Sequence, residues 1–210
     1  MLRPLVALFR IVLLAGAVLA SSNEKPAKQT VYDFSLVDIQ GKTVPLSNYK
    51  GKVLLIVNLA SQSTYRDQIA ALNDLQNAYG VQGLVIIGIP SSDFGGKELK
   101  DATAVRQYYM EKLHVAFPLF APASTRGVET IPLYTFLCDA KASLPGGELH
   151  WSFTKFIVDR DGQPLARFEV SDDPEETSFH VMIESALAGK LKKRTETKKE
   201  EPPSDQDDDQ

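Results

Sequence analysis

The chain has 210 residues, 23 Lys and Arg against 27 Asp and Glu, and a single cysteine. One thiol excludes an intramolecular disulfide, a CxxC redox pair and a four-thiolate zinc site, and three histidines leave little room for a His-rich metal centre. A chain that is 43% hydrophobic and 24% charged, with a net charge of −4, fits one globular domain and speaks against a nucleic-acid binder, which is normally basic.

The amino terminus carries the pattern of a secretory signal. Arg3 supplies positive charge, Ile11 to Ala20 is an unbroken apolar and small run, and Val18-Leu19-Ala20 fits the small-residue cleavage rule. Cleavage is expected after Ala20, leaving residues 21–29 as a linker. The alternative is a signal anchor, although Arg10 interrupts the stretch from Leu5 to Ala20, which is short of the roughly 20 apolar residues of a span. A secretory route, to the exterior or to an endomembrane lumen such as the endoplasmic reticulum, implies an oxidising compartment.

The globular body is expected over residues 30–189. Val31 to Val37 and Thr43 to Leu46 flank a Gly41 turn and predict a hairpin. Val53 to Leu59 is continuously aliphatic but for Asn58, as a strand buried on both faces should be. Ile69, Leu72, Leu75 and Tyr79 recur at helical spacing until Gly80. A second buried strand follows at Leu84 to Ile89, then a helix over Ala104 to Leu113 and a short one over Ile131 to Cys138. Phe153 to Val158 and Pro164 to Val170 flank Asp159-Arg160-Asp161-Gly162, a hairpin with an Asp-Gly turn. Pro174 is placed to open a last helix with Phe179, Ile183 and Leu187 on one face. From Lys190 the composition changes to a basic and then an acidic run with Leu191 as its one large apolar residue up to Lys199. Residues 190–210 are therefore expected to form a charged, disordered, solubilising tail.

The order hairpin, β, α, β, α, α, hairpin, α implies an α/β fold. Parallel strands joined right-handedly and a terminal antiparallel hairpin make a mixed sheet with helices on both faces, the thioredoxin-like arrangement. Sites in such sheets lie beyond the carboxyl ends of the strands. Two segments fall there, Ala60-Ser61-Gln62-Ser63-Thr64 and Pro90-Ser91-Ser92-Asp93-Phe94-Gly95-Gly96.

These segments resemble the glutathione peroxidase family. Lys50 to Gln62 resembles its KGKVLLIVNVASQ run, and Phe94-Gly95-Gly96 with Glu98 resembles its FGGQE. Phe117-Pro118-Leu119-Phe120, Pro132 to Leu137 and Trp151 to Phe156 follow in family order. The resemblance spans residues 31–187 and implies descent from thiol- or selenol-dependent peroxidases that reduce hydrogen peroxide and organic hydroperoxides in the oxidative-stress response. It places the peroxidatic cysteine or selenocysteine at Ser63, the family's glutamine at Asp93, its tryptophan at Trp151 and its asparagine at Ser152. Only Trp151 is retained. The resolving cysteine of two-cysteine members falls near Met110. Only eleven residues, Ala140 to His150, separate Asp139 from Trp151, which resembles the short-loop, monomeric branch, whose reductants tend to be thioredoxin-like proteins.

The family's chemistry needs a thiolate or selenolate stabilised at a helix start. A serine hydroxyl is scarcely ionised at neutral pH and has no sulfenic-acid cycle. A carboxylate at Asp93 would repel a neighbouring anion. The expectation is a family member impaired or inactive as a peroxidase, with a binding or regulatory role. It would need no cofactor, using glutathione or a thioredoxin-like reductant only if active, and would meet a protein or small-molecule partner of the secretory pathway. Ser63 and Thr64 also read as a helix N-cap, with Thr64 and Asp67 as a capping-box pair.

Two other chemistries are weighed. Cys138 is the sole thiol available to an unconventional peroxidase or oxidoreductase; it otherwise reads as a buried, inert cysteine or as the bridge of a disulfide dimer. A hydrolase centred on Ser63 would need a base. His150 is near in sequence, but strand alternation places it opposite Trp151, with Trp151 as the pocket wall. His114 and His180 read as surface or structural residues.

Overall fold

The computed structural model describes residues 28–139 and 146–193. The signal expected over residues 1–20, most of the linker and most of the charged tail lie outside the described residues. No helix among the described residues is long and apolar enough to cross a membrane.

A four-stranded sheet carries the fold. β3 (Val53–Leu59) lies at its centre, parallel to β4 (Leu84–Pro90) on one side and antiparallel to β5 (Lys155–Val158) on the other, with β6 (Pro164–Phe168) beyond β5. Every residue of β3 is buried, which is why its sequence does not alternate. Alternation reappears in where its side chains go. Val53, Leu55, Val57 and Leu59 enter one core with Ile69, Leu72 and Leu75 of α1 (Gln68–Tyr79) and Phe179 and Ile183 of α4 (Thr177–Leu187). Leu54 and Ile56 enter the other with Leu133, Tyr134 and Leu137 of α3 (Pro132–Cys138). The hairpin β1 (Ser35–Val37) and β2 (Thr43–Pro45) packs on that second face, so helices cover both faces as expected.

Several boundaries differ from the sequence reading. Val31–Asp33 is a 3-10 turn capped by Thr30, not the start of a strand. α1 ends at Tyr79 with Gly80 as its C-cap, as expected, but Gly80 stays right-handed and opens a 3-10 turn, Gly80–Gln82, whose left-handed terminator is Gly83 at φ +105°. The helix predicted over 104–113 is α2 (Ala102–Gln107) followed by a π-turn, Tyr108–Lys112. Asp101 caps α2 by accepting from the Ala104 N–H, so the helix begins earlier than its apolar residues suggest. Pro174 lies ahead of α4, whose N-cap is Glu176. The tail does not begin its independence at Lys190. Gly189 turns left-handed at φ +67°, and the Lys190 N–H donates to the Ser185 carbonyl at 2.8 Å. That helix-ending turn folds Leu191 back against the core.

Candidate functional site

The loop leaving β3 carries Ser63. Its approach is fixed by Glu98, a buried carboxylate that accepts from the Ser61 N–H at 3.1 Å, the Ser61 hydroxyl, the Leu99 N–H at 2.8 Å and the Tyr109 hydroxyl at 2.6 Å. The Gln62 N–H donates to the Lys97 carbonyl at 2.7 Å. The chain then descends through a series of tight turns, and α1 starts only at Gln68 with Asp67 as a cap whose side chain makes no capping bond. The expected Ser63–Thr64 cap and Thr64–Asp67 box are therefore absent. Ser63 Oγ instead accepts the Tyr65 N–H at 3.2 Å, a side-chain turn one step ahead of the helix.

Opposite Ser63, the chain enters β5 through a turn. The strand predicted from Phe153 begins at Lys155. Phe153 is in the left-handed region at φ +64°, a conformation costing a bulky residue about 1–2 kcal/mol. It is held there by complete burial of its side chain and by its N–H donating to the Asn58 carbonyl at 2.7 Å. Asn58 Nδ2 also donates to the Trp151 carbonyl at 3.1 Å. The turn sets Ser152 Oγ 3.1 Å from Ser63 Oγ, with Ser152 donating. Because residues 150–152 are not in a strand, their side chains do not alternate, and His150 and Trp151 both border the same cavity. The placement of His150 on the opposite face is thereby corrected.

Asp93 follows β4 and borders the cavity too. Its carboxylate is turned into the loop ahead of α3. It accepts from the Thr125 N–H at 2.6 Å, the Ser124 and Thr125 hydroxyls at 3.1 Å and the Arg126 N–H at 3.3 Å. Partial burial pushes its pKa up, but the Thr125 N–H and the Ser91, Thr125 and Ser124 hydroxyls outweigh burial and hold it below the usual carboxylate range. Asp93 is thus a loop anchor, and its charge is met by donors before it reaches Ser63.

The cavity of about 320 Å³ has the Ser63 and Ser152 hydroxyls as its floor. Tyr65, Phe94 and Trp151 are its apolar walls, and Lys97 and Arg126 border it with cations. Trp151 is a wall as expected, yet it is 59% exposed. Arg126 lies 5.8 Å over the Phe94 ring and pairs with Glu148 at 3.5 Å. Sequence reading missed Arg126, Tyr65 and Asn58. Only Asn58 had a signal, as the one polar side chain in a fully buried strand.

Cys138 lies elsewhere, on α3, beside a different cavity shared with Tyr134 and Glu148. Burial pushes its thiol up to about 11, against the pull of Arg167. Met110 lies in the π-turn. Neither His150 nor Asp93 hydrogen-bonds Ser63 among the described residues. His180 Nδ1 lies 3.0 Å from the Tyr79 hydroxyl, a structural role. No group of His, Cys, Asp and Glu among the described residues could hold a metal ion.

The sequence model of glutathione peroxidase matches residues 31–138. The chain belongs to the glutathione peroxidase family. It is similar to a glutathione peroxidase of Lactococcus lactis, 40% identical over 71% of this chain and 96% of that protein. A probable phospholipid hydroperoxide glutathione peroxidase of Solanum lycopersicum is 37% identical over 70% of this chain and 87% of its own length. Among solved structures, T. cruzi GPX1 superposes with a TM-score of 0.59 at 27% identity, covering 76% of this chain and 97% of that one. A thioredoxin-family thiol:disulfide interchange protein from Chlorobium tepidum, 19% identical with a TM-score of 0.52 over 73% of this chain and 92% of that one, shows the thioredoxin-like fold alone. The turn at Ser63, the Asp93 loop and the Trp151–Ser152 turn are the three places where this glutathione peroxidase relative builds its pocket.

Proposed function

We propose that this chain is a glutathione peroxidase family member that no longer runs thiol peroxidase chemistry and uses its pocket to bind a ligand or partner in the secretory pathway, as a monomer. One observation supports this reading above the others. The atom at the pocket floor, where the resemblance puts the peroxidatic sulfur or selenium, is the Ser63 oxygen, a neutral hydroxyl that accepts from the Tyr65 N–H and the Ser152 hydroxyl. Such an oxygen supplies no anion at neutral pH and cannot be oxidised and re-reduced as sulfur is. The only thiol borders another cavity with its pKa raised to about 11, so it offers few thiolates to a peroxide.

The test is a coupled peroxidase assay on the chain lacking residues 1–20, with glutathione or thioredoxin as reductant. Hydrogen peroxide and a phospholipid hydroperoxide are the substrates, the latter chosen because the plant relatives carry that name. No turnover above the protein-free rate is expected. Turnover comparable to cysteine-containing members would overturn the reading.

A further inference from the structure

We propose that the pocket at Ser63 binds a small carboxylate, with the Ser63 hydroxyl, Arg126 and Lys97 as its donors; the inference rests on the loss of thiol chemistry proposed above. A hydroxyl has one proton and two lone pairs. Ser63 Oγ accepts from the Tyr65 N–H at 3.2 Å and from the Ser152 hydroxyl at 3.1 Å. Both lone pairs are engaged, and no acceptor among the described residues takes its proton. Ser63 is only 4% exposed, so this proton is a buried donor at the floor of a cavity, waiting for an acceptor from outside the chain.

The rim has the same polarity. Lys97 and Arg126 are donors without lone pairs, and both border the cavity. The one acid there, Asp93, already accepts from Ser124, Thr125 and Arg126. Its carboxylate therefore holds the backbone of Arg126 in place and is not left to repel an anion. An occupant that offers acceptors and negative charge is favoured, and a guanidinium matches the paired oxygens of a carboxylate. Two cations, one of them shared with Glu148 at 3.5 Å, suit a monoanion better than a dianion. Phe94, Tyr65 and Trp151 supply flat apolar walls for the body of the molecule. The volume of about 320 Å³ is at the small end of ligand pockets, which fits an aryl or short alkyl carboxylate.

The experiment uses the single tryptophan of the chain as reporter. The Trp151 indole N–H resonance of the 15N-labelled chain is followed during titration with benzoate and, separately, with benzamide, its neutral isostere. A saturable shift with benzoate and an affinity for benzamide at least about tenfold lower, equivalent to 1.4 kcal/mol, are expected. Arg126→Gln and Lys97→Gln should each weaken benzoate severalfold and leave benzamide unchanged, and Ser63→Ala should weaken benzoate. Lys97 is exposed, so Lys97→Gln keeps the test valid if the Arg126 variant loses its loop. Equal affinity for the two probes, shifts that never saturate, or indifference of benzoate binding to Lys97→Gln would overturn the proposal. Peroxide turnover, measured on the same sample, reports on the loss of thiol chemistry separately from the titration.

Discussion

Replacing Asp93 by glutamine, the residue the family resemblance puts there, should loosen the 124–126 loop instead of repairing the pocket. The carboxylate accepts from the Thr125 N–H at 2.6 Å, the Thr125 and Ser124 hydroxyls at 3.1 Å and the Arg126 N–H at 3.3 Å. A hydrogen bond to a charged group contributes about 1.5–3 kcal/mol when well made. Here only the Thr125 N–H bond is short, and the site is half-buried, so water replaces much of what is lost. A glutamine amide has a single acceptor oxygen and would bring its own N–H donors to a ring of donors. The expected loss is about 2–3 kcal/mol, read from the urea midpoint at constant slope. The pH dependence gives a second check. Hydrogen bonding, working against burial, holds the folded-state pKa of Asp93 below its unfolded value. Its contribution is therefore present above the unfolded pKa of about 3.9 and is lost as pH falls through the folded pKa. The stability gap between the parent chain and the variant should narrow below about pH 4. A variant within about 0.5 kcal/mol of the parent at pH 7, or a gap that does not change between neutral and acid pH, would refute the anchoring role.

Four further outcomes follow from the same geometry. Ser63→Cys with Ser152→Asn, keeping Asp93 as the loop anchor, should gain measurable peroxide turnover over the parent in the coupled assay; none in a folded variant would mean that the pocket walls have diverged too far. Alkylation of Cys138 by iodoacetamide should be slow at pH 7 and rise about tenfold per pH unit until the thiol titrates near 11; fast labelling at neutral pH would show an exposed, activated thiol instead. Lys155, fully buried and donating to the Glu169 and Asp172 carbonyls, has its pKa lowered to about 8 by burial, against the pull of Asp172, Asp173 and Glu169. Between that pH and the unfolded value the unfolded chain binds more protons, so the parent should gain up to about 3 kcal/mol relative to Lys155→Met as pH rises through this window, measured by urea unfolding at pH 7 and pH 10. Gly88→Ala would put a Cβ 2.8 Å from Leu59 Cδ1 and 2.9 Å from the Phe117 ring, and a loss of about 1–3 kcal/mol in urea unfolding is expected from overpacking.

Much of the fold was legible because its signals are local. The bounds of β3 were read correctly, and those of β4 to within one residue, because an aliphatic run bounded by turn residues has few other uses. α1 and α3 were placed within a residue or two by periodicity. Two of the misses occur where a distant partner overrides local preference. Phe153 would extend a strand by its own propensity, but Asn58 and the core hold it left-handed. Thr64 and Asp67 have the spacing of a capping box, but the turns fixed by Glu98 and Lys97 delay the helix to Gln68. Leu191 looks like part of a charged tail, but the Gly189 turn returns it to the core.

For the site, the sequence by itself determined which chemical groups are available: one thiol on α3, hydroxyls at Ser63 and Ser152, a carboxylate at Asp93 and a single tryptophan. It also determined that Ser63 and Asp93 follow the two parallel strands, whose ends face the same way. Only the tertiary structure decided what those groups do to one another. Hydrogen-bond direction and the facing of a carboxylate depend on chain segments about 30 and 90 residues away, and no local pattern encodes them. Asp93 reads in sequence as a charge set against the pocket anion. In the folded chain its oxygens meet the Thr125 and Arg126 N–H groups, and it becomes the strut that holds a cation at the pocket rim.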